Sequence, residues 1–366
     1  MSSRVMAAAG LLALTLHAMA AEKASPVKQI RYRMGTLCEI TAYPVDGDGR
    51  RTDAAIEAAF AEVTRLDHAL SNWKPDSELM RLNTAAAAEG RDRPWAPAGE
   101  ELFERLLVAL RIAEATDGRF DPTVGPLVRA YGFLPRGNGG DTHVREASRR
   151  VGWRKVRLDV QGRRVQFAES GMEVDLGGIA KGYAAQRAAE VLRQHGIRAA
   201  LVNLGGSSIV AVGSPARGTG ECDDDCRDGW PVLVRDPRDG RTPVAFIELR
   251  DGEALGTSGT YEKLQGRRSH ILDPRTGRAL EGKRSATVLL RNAEVADALA
   301  KPFLLLGALE GSGPVQLCQS YPAASVMLLA ARGGALTRWS AGPEAERFLL
   351  ISVSHEKPDQ RTAQAR

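Results

Sequence analysis

Glu173-Val-Asp-Leu-Gly-Gly-Ile-Ala-Lys-Gly182 sets an aspartate, a glycine pair and a lysine in one short run. The apolar stretch carrying Asp175 turns through Gly177 and Gly178 into a helix-like segment, with Lys181 in its first turn. A second pair, Gly205-Gly206, ends the strand-like Ala199-Ala-Leu-Val-Asn-Leu204. Glycines let a backbone approach a ligand closely, and amides at a helix start favour anionic groups. Lys181 adds a mobile cation suited to a phosphate. The plainer alternative is that Asp175 caps the helix and Lys181 is solvated. The pattern is neither the Gly-Lys-Ser/Thr of a Walker loop nor GxGxxG.

Two further clusters carry reactive types. Leu255-Gly-Thr-Ser-Gly-Thr-Tyr261 precedes Ser269-His-Ile-Leu-Asp-Pro-Arg-Thr-Gly277, in which Asp273 to Gly277 reads as a tight turn. His270 stands just before that turn. An imidazole titrates near neutral pH and can take a hydroxyl proton, so His270 is a candidate general base; otherwise it pins the turn. In Glu294-Val-Ala-Asp-Ala-Leu-Ala-Lys301, Asp297 and Lys301 lie four apart, on one helical face. A surface ion pair is the default there. The neighbours Ala296, Ala298, Leu299 and Ala300 are apolar, however, so the carboxylate needs a specific partner, and a Mg²⁺ shared with ligand phosphates is one candidate.

The elements that must hold these groups are legible in the hydrophobic pattern. Gln29 to Tyr43 alternates as a strand broken at Met34-Gly35-Thr36. Thr52 to Leu70 and Glu100 to Thr116 are amphipathic helices, the first through Ile56, Phe60, Val63, Leu66 and Leu70. Ser77 caps a short segment from Glu78 to Asn83. Ala180 to His195 forms the helix after the glycine turn, and Asn292 to Leu306 is helical in pattern despite Pro302. Strands are expected at Val156 to Phe167 (two, around Gln161-Gly162), Ala199 to Leu204, Trp230 to Arg235, Val244 to Leu249 and Ala286 to Leu290. Val326 to Ala330, Leu336 to Trp339 and Phe348 to Val353 complete a sheet. Without regular βαβ alternation, α+β is favoured over a doubly wound sheet. One domain over residues 28–354 is expected, with a polar, disordered tail at 355–366.

A hydrophobic content of 43% in 366 residues is ample for a large core. The net charge of +5 is small against 50 basic and 45 acidic residues and gives no case for nucleic acid. Arg4 precedes an uncharged run from Val5 to Ala20, and Ala18-Met19-Ala20 has the small-x-small form of a signal-peptidase site. The run is shorter than the roughly 20 residues that span a bilayer. Residues 1–20 are therefore read as a cleaved signal peptide, leaving an exported protein without stable membrane insertion. The four cysteines fit an oxidising compartment. Cys222 and Cys226 form a local disulfide or a surface metal trap, the disulfide being favoured; Cys38 and Cys318 read as buried thiols.

Taken in order, these clusters resemble the ApbE family of exported bacterial FAD:protein FMN transferases. The resemblance runs from about Met34 to Gly307. It rests on Met34-Gly-Thr36, Ser71-Asn-Trp73 with Asp76-Ser-Glu-Leu79, Gly118-Arg-Phe-Asp121, Asp175-Leu-Gly-Gly-Ile-Ala-Lys-Gly182 and Asn203-Leu-Gly-Gly206. Thr257-Ser-Gly259, His270 to Gly277 and Ala296-Asp-Ala-Leu299 extend it.

The resemblance implies an α+β, T-fold-like core with a mixed or antiparallel sheet. It implies a periplasmic location, FAD as substrate, Mg²⁺, and FMN transfer onto a Thr or Ser hydroxyl of an acceptor protein with release of AMP. Met34, Trp73, Arg119, Phe120, Asp121, Asp175, Lys181 and Ile271 match positions lining the FAD site, and His270 matches the base. The metal would be held by the carbonyl of Gly178, by Asp297 and by the side chain at 301. Trp73 stands where the family commonly has Tyr. Two departures bear on chemistry. Lys301 replaces the usual Thr or Ser, and Thr260 replaces the Asp that commonly follows Ser-Gly. A protonated lysine has only donors and cannot ligate Mg²⁺; its charge could instead occupy the metal position. Pro302 is expected to remove one helix hydrogen bond and bend the segment. Three readings follow: a transferase with altered metal dependence, a hydrolase releasing FMN and AMP, or a flavin-binding protein without catalysis.

Overall fold

The computed structural model describes residues 25–44, 48–86, 93–135, 137, 141–215, 229–262, 264–265, 268–307 and 313–351. The expected signal peptide at 1–20, the Cys222–Cys226 pair and the tail at 355–366 lie outside them. In chain order the first elements are β1 (Val27–Arg33), β2 (Thr36–Ala42), α1 (Gly49–Ala69), α2 (Glu78–Ala86), β3 (Ala96–Pro97), α3 (Glu100–Ala115), α4 (Gly125–Ala130) and α5 (Asp141–Arg149). A 3-10 turn at Trp153–Lys155 leads to β4 (Val156–Asp159), β5 (Arg164–Phe167), α6 (Ala180–Gln194), β6 (Ala200–Leu204) and β7 (Ser208–Val212). Next come β8 (Trp230–Arg235), β9 (Pro243–Leu249), β10 (Ala254–Gly259), β11 (Leu264–Gln265), β12 (Arg268–Ser269), β13 (Leu272–Asp273) and β14 (Arg278–Ala279). The last are β15 (Arg284–Leu290), α7 (Ala293–Leu306), α8 (Gly313–Ser320), β16 (Ser325–Arg332), β17 (Ala335–Ala341) and β18 (Leu349–Leu350).

Eight strands form the main sheet in the order β1-β2-β6-β7-β10-β15-β16-β17. Every pairing in it is antiparallel, so the expected mixed or antiparallel sheet is antiparallel. Both faces are covered. On one, α1, α6 and α7 bury Ile56, Phe60, Val63, Leu192, Leu299 and Phe303 against Ile40, Val202, Val210 and Val288. On the other, the three-stranded sheet β18-β9-β8 packs Trp230, Val232, Ile247 and Phe348 onto Ile209, Leu255, Leu289 and Met327. This is the α+β class expected from the sequence.

Local chemistry explains the element ends. Asp48 accepts from the amides of Arg50 (3.0 Å) and Arg51 (3.3 Å), so α1 begins a turn before its apolar stripe. Ser77 Oγ accepts from the Met80 amide at 2.9 Å, the expected cap of α2. Met34 (φ 51°) and Gly35 (φ 72°) make a two-residue hairpin turn, which splits the expected Gln29–Tyr43 strand into β1 and β2. Asn292 caps α7 through the Val295 amide (2.9 Å), and the helix continues through Pro302 to Leu306. Cys38 is fully buried and Cys318 half-buried, close to expectation.

Two expectations are corrected. The described part of Phe348–Val353, which ends at Ile351, does not complete the main sheet: Leu349 and Leu350 pair antiparallel to β9 in the smaller one. β10, at the centre of the main sheet, stands where the sequence reading placed only a Gly-Thr-Ser-rich cluster. No described helix is long and apolar enough to cross a bilayer.

Candidate active site

Helix α7 lies between two glycines. A Cβ on Gly256 of β10 would stand 2.2 Å from the Ala296 carbonyl and 2.4 Å from the Asp297 nitrogen. On the side facing α6, a Cβ on Gly182 would meet Ala293 O at 2.2 Å and Asp297 Cβ at 2.8 Å. Only glycine permits either approach, which is the usual meaning of a glycine inside a strand. The close packing brings the start of α6 and the middle of α7 together at Asp297.

Asp297 is completely buried and its carboxylate is fully used. Oδ2 accepts from the Gly182 amide (2.9 Å) and from Ser208 Oγ (3.2 Å). Oδ1 accepts from Lys301 Nζ at 2.5 Å, and the same ammonium donates to Asp297 O (2.8 Å) and Gly178 O (2.7 Å). Its three protons thus have three oxygen acceptors, drawn from the Gly177–Gly178 turn and one turn of α7. The lysine stem runs over Gly178 beside the Phe120 ring and leaves 18% of the side chain exposed. Burial lowers its pKa, with Asp297 opposing and Lys181 reinforcing the shift. Thus Lys301 feels the charge of Lys181, whose own ammonium has no hydrogen bond or ion pair among the described residues.

Asp175 is placed by its neighbours. Its Oδ1 accepts from the Gly177 amide (2.7 Å), closing the glycine turn, and its own amide donates to Pro122 O (2.7 Å). A parallel bridge between Val124 and Glu173 ties the Gly118–Gly125 loop to this strand. Two asparagines grip Val174 next door: Asn83 accepts from its amide (2.8 Å) and donates to its carbonyl (2.9 Å), while Asn72 donates to the same carbonyl (2.8 Å). Arg129 holds Glu173 through two nitrogens at 3.0 and 2.6 Å. Sequence reasoning assigned no role to Asn72, Asn83, Arg129 or Ser208. Asn72 stood inside a quoted motif, but its partner Val174 is far away in sequence.

The structure brings Phe120, Gly178, Asp297 and Lys301 into contact, with Lys181 and Asp175 on the same turn. Other candidates are less direct. Asp121 is buried and spends its oxygens on Thr123 N (2.8 Å), Thr123 Oγ1 (2.6 Å) and Trp153 N (2.9 Å); burial raises its pKa against those bonds. It fastens the loop that carries Arg119 and Phe120. Arg119 is half-buried, its pKa lowered first by burial and then by Arg275, which also approaches Asp117 at 3.4 Å. Met34 lies at the β1–β2 turn against the main core, and Ile271 is buried in it. Trp73 is 61% exposed. His270 is half-buried, edge-on to Phe133 with centroids 6.3 Å apart. Thr260 is structural: its hydroxyl donates to Gly282 O (2.6 Å) and accepts from the Arg284 amide (3.0 Å).

The donor set does not fit a divalent ion. Magnesium needs oxygen ligands at about 2.0–2.1 Å, whereas the point between Gly178 O and Asp297 Oδ1 is filled by an ammonium. No group of three or more His, Cys, Asp or Glu side chains able to hold a metal occurs among the described residues.

An antiparallel α+β frame thus brings a lysine-bearing helix start and a buried Asp–Lys pair to one glycine turn. The chain belongs to the ApbE family, whose pattern it matches over residues 34–323. It is 30% identical over 361 residues to the FAD:protein FMN transferase of Salmonella typhimurium, covering 94% of this chain and 96% of that protein. It is 33% identical over 286 residues to a Klebsiella pneumoniae protein of the same name, covering 75% and 77%. Among solved structures, the flavin transferase ApbE from Vibrio cholerae superposes with a TM-score of 0.74 at 25% identity, over 89% of this chain and all of that one. The ApbE protein of Thermotoga maritima gives 0.70 at 28% identity, covering 86% and 97%.

Proposed function

We propose that this chain is an FAD:protein FMN transferase acting on a Thr or Ser hydroxyl of an exported acceptor protein in the periplasm. The observation that carries the reading is the Lys181 ammonium, unpaired among the described residues, beside the Gly177–Gly178 turn and within the field of the Lys301 ammonium. Dinucleotide pyrophosphates are polyanions, and a glycine turn opening a helix flanked by cations suits one. The family membership and the shared name of its relatives support the same reading.

In the reaction, the acceptor oxygen forms a bond to the FMN phosphorus while that phosphorus loses its bond to the bridging oxygen. AMP leaves with the bridging oxygen, and the hydroxyl proton passes to a base. His270 takes the base role. Its ring is braced by Phe133, and burial of its neighbours Ser269 and Ile271 fixes where it starts. Lys181 meets charge that builds on the departing phosphate, an effect strongest where water is excluded. Asp175 holds the glycine turn in shape, and Phe120 walls the site beside Gly178.

Incubating the purified chain with FAD and a co-expressed exported acceptor tests this reading. Transfer gives a protein band that fluoresces after denaturation, with one AMP per flavin attached. Free FMN without a labelled band indicates that water is the acceptor, and intact FAD indicates binding alone; either result refutes the transferase. His270→Ala keeps FAD affinity and slows FMN release, whereas an unchanged rate removes its role as base.

A further inference from the structure

We propose that Lys301 is the resident cation of the phosphate site, so that this chain binds FAD without a divalent ion and Asp297 serves to seat a lysine. The inference rests on the flavin reading above and goes beyond it.

Four observations carry it. The ammonium is held by one carboxylate oxygen and two main-chain carbonyls, an all-oxygen cradle of the kind a hard cation takes. Two of those acceptors come from Asp297 itself, the residue four before Lys301 on the same helix. The stem runs close along the bare Gly178 backbone, where an added Cβ would stand 3.5 Å from Lys301 Cε and 3.1 Å from the Phe120 ring. The opposite oxygen of Asp297 is already taken by Gly182 and Ser208, so the carboxylate cannot swing away to accept an ion elsewhere.

The charge balance differs from that of a metal site. A divalent ion over one carboxylate leaves a surplus positive charge, whereas the Lys301–Asp297 pair is neutral by itself. The net positive charge facing a pyrophosphate then falls to Lys181. Removing the Lys301 ammonium uncovers the Asp297 carboxylate beside the ligand, and the repulsion weakens binding unless a metal replaces the lost charge.

The test uses the full chain after exhaustive treatment with EDTA, with FAD affinity read by flavin fluorescence and Mn²⁺ binding read by electron paramagnetic resonance. Wild type is expected to bind FAD with the same Kd, within about twofold, in EDTA and in excess Mg²⁺, and to hold no Mn²⁺ with FAD bound. Lys301→Thr should lose about tenfold or more in FAD affinity in EDTA, the scale of losing a charge-assisted contact. It should recover with Mg²⁺ and take up one Mn²⁺. Lys301→Met, similar in volume but without an oxygen, should lose affinity without full recovery. Each variant's melting temperature shows whether it folds, and Mg²⁺ should raise that of Lys301→Thr but not that of wild type. FAD binding by wild type that requires Mg²⁺, or stoichiometric Mn²⁺ on wild type, overturns the proposal and leaves the flavin reading standing. Absence of FAD binding under every condition overturns both.

Discussion

Gly256→Ala is the sharpest probe of how the site is assembled. One methyl group would be built 2.2 Å from the Ala296 carbonyl carbon and oxygen and 2.4 Å from the Asp297 nitrogen, against an ordinary contact range of 3.4–4 Å. Relief needs a separation of more than 1 Å between β10 and α7. No side chain can rotate to supply it, because every atom in the clash is backbone. The backbone angles of Gly256 are ordinary, so the penalty is steric rather than conformational. Overpacking of a core costs about 1–3 kcal/mol, and a backbone-on-backbone clash belongs at the upper end, about 3 kcal/mol. That is a large share of a typical folding free energy of about 5–15 kcal/mol. Urea unfolding of wild type and variant gives the stability difference, and flavin fluorescence gives the FAD affinity. Both should fall, the affinity because the shift acts on Asp297 and through it on Lys301. Gly49→Ala is the control: a Cβ there meets nothing within 4 Å, so stability should hold or rise slightly. If Gly256→Ala keeps wild-type stability and affinity, the account of α7 as a helix trapped between two glycines is wrong.

Other outcomes follow from the same geometry. Asn83→Ala strips the Val174 amide of its acceptor and should cost about 1–3 kcal/mol in urea unfolding, with a drop in FAD affinity because Asp175 is next in chain; unchanged affinity would separate the clamp from the site. Cys38 is buried and its thiol is pushed up to about 11, chiefly by burial. Native protein should therefore leave it unalkylated at pH 8 by mass spectrometry, and labelling as fast as in urea would contradict its burial. Burial also pushes the Glu294 carboxyl up to about 7 from 4.5, outweighing the attraction of Arg105. Between those pH values the unfolded chain releases a proton that the folded chain keeps. Stability should thus fall as pH rises through the window, by roughly 3 kcal/mol at most. Glu294→Gln should flatten that slope, and a wild-type curve already flat from 4.5 to 7 would refute the shift.

Periodic burial made the long helices legible. The stripe Ile56-Phe60-Val63-Leu66 of α1 and the alanine-rich face of α6 lie in the core as their spacing requires. β10 was hidden because Gly256, Thr257, Ser258 and Gly259 carry turn-like composition; the strand exists because it pairs with β7 and β15 and must be thin where α7 crosses it. Helices α4 and α5 are too short for a convincing period. At the site, Lys301 was visible as an anomaly, but its acceptors were not, since Gly178 O belongs to no side chain and lies on a distant turn. Asp121 stood out in the sequence as part of Gly118-Arg-Phe-Asp121, while its use inside its own loop depends on Thr123 and on Trp153 folding back.

The i,i+4 relation between Asp297 and Lys301 has a mechanical corollary. Anion and cation ride on one stretch of helix, so any displacement of α7 carries them as a unit and leaves their mutual attraction untouched. What such a displacement alters is the set of contacts tying this charge pair to its surroundings: the Gly178 carbonyl on the lysine side, and the Gly182 amide and Ser208 hydroxyl on the carboxylate side. Tuning by a docked partner or a distant substitution would act by stretching those contacts, shifting the whole electrostatic dipole relative to the ligand without dismantling it.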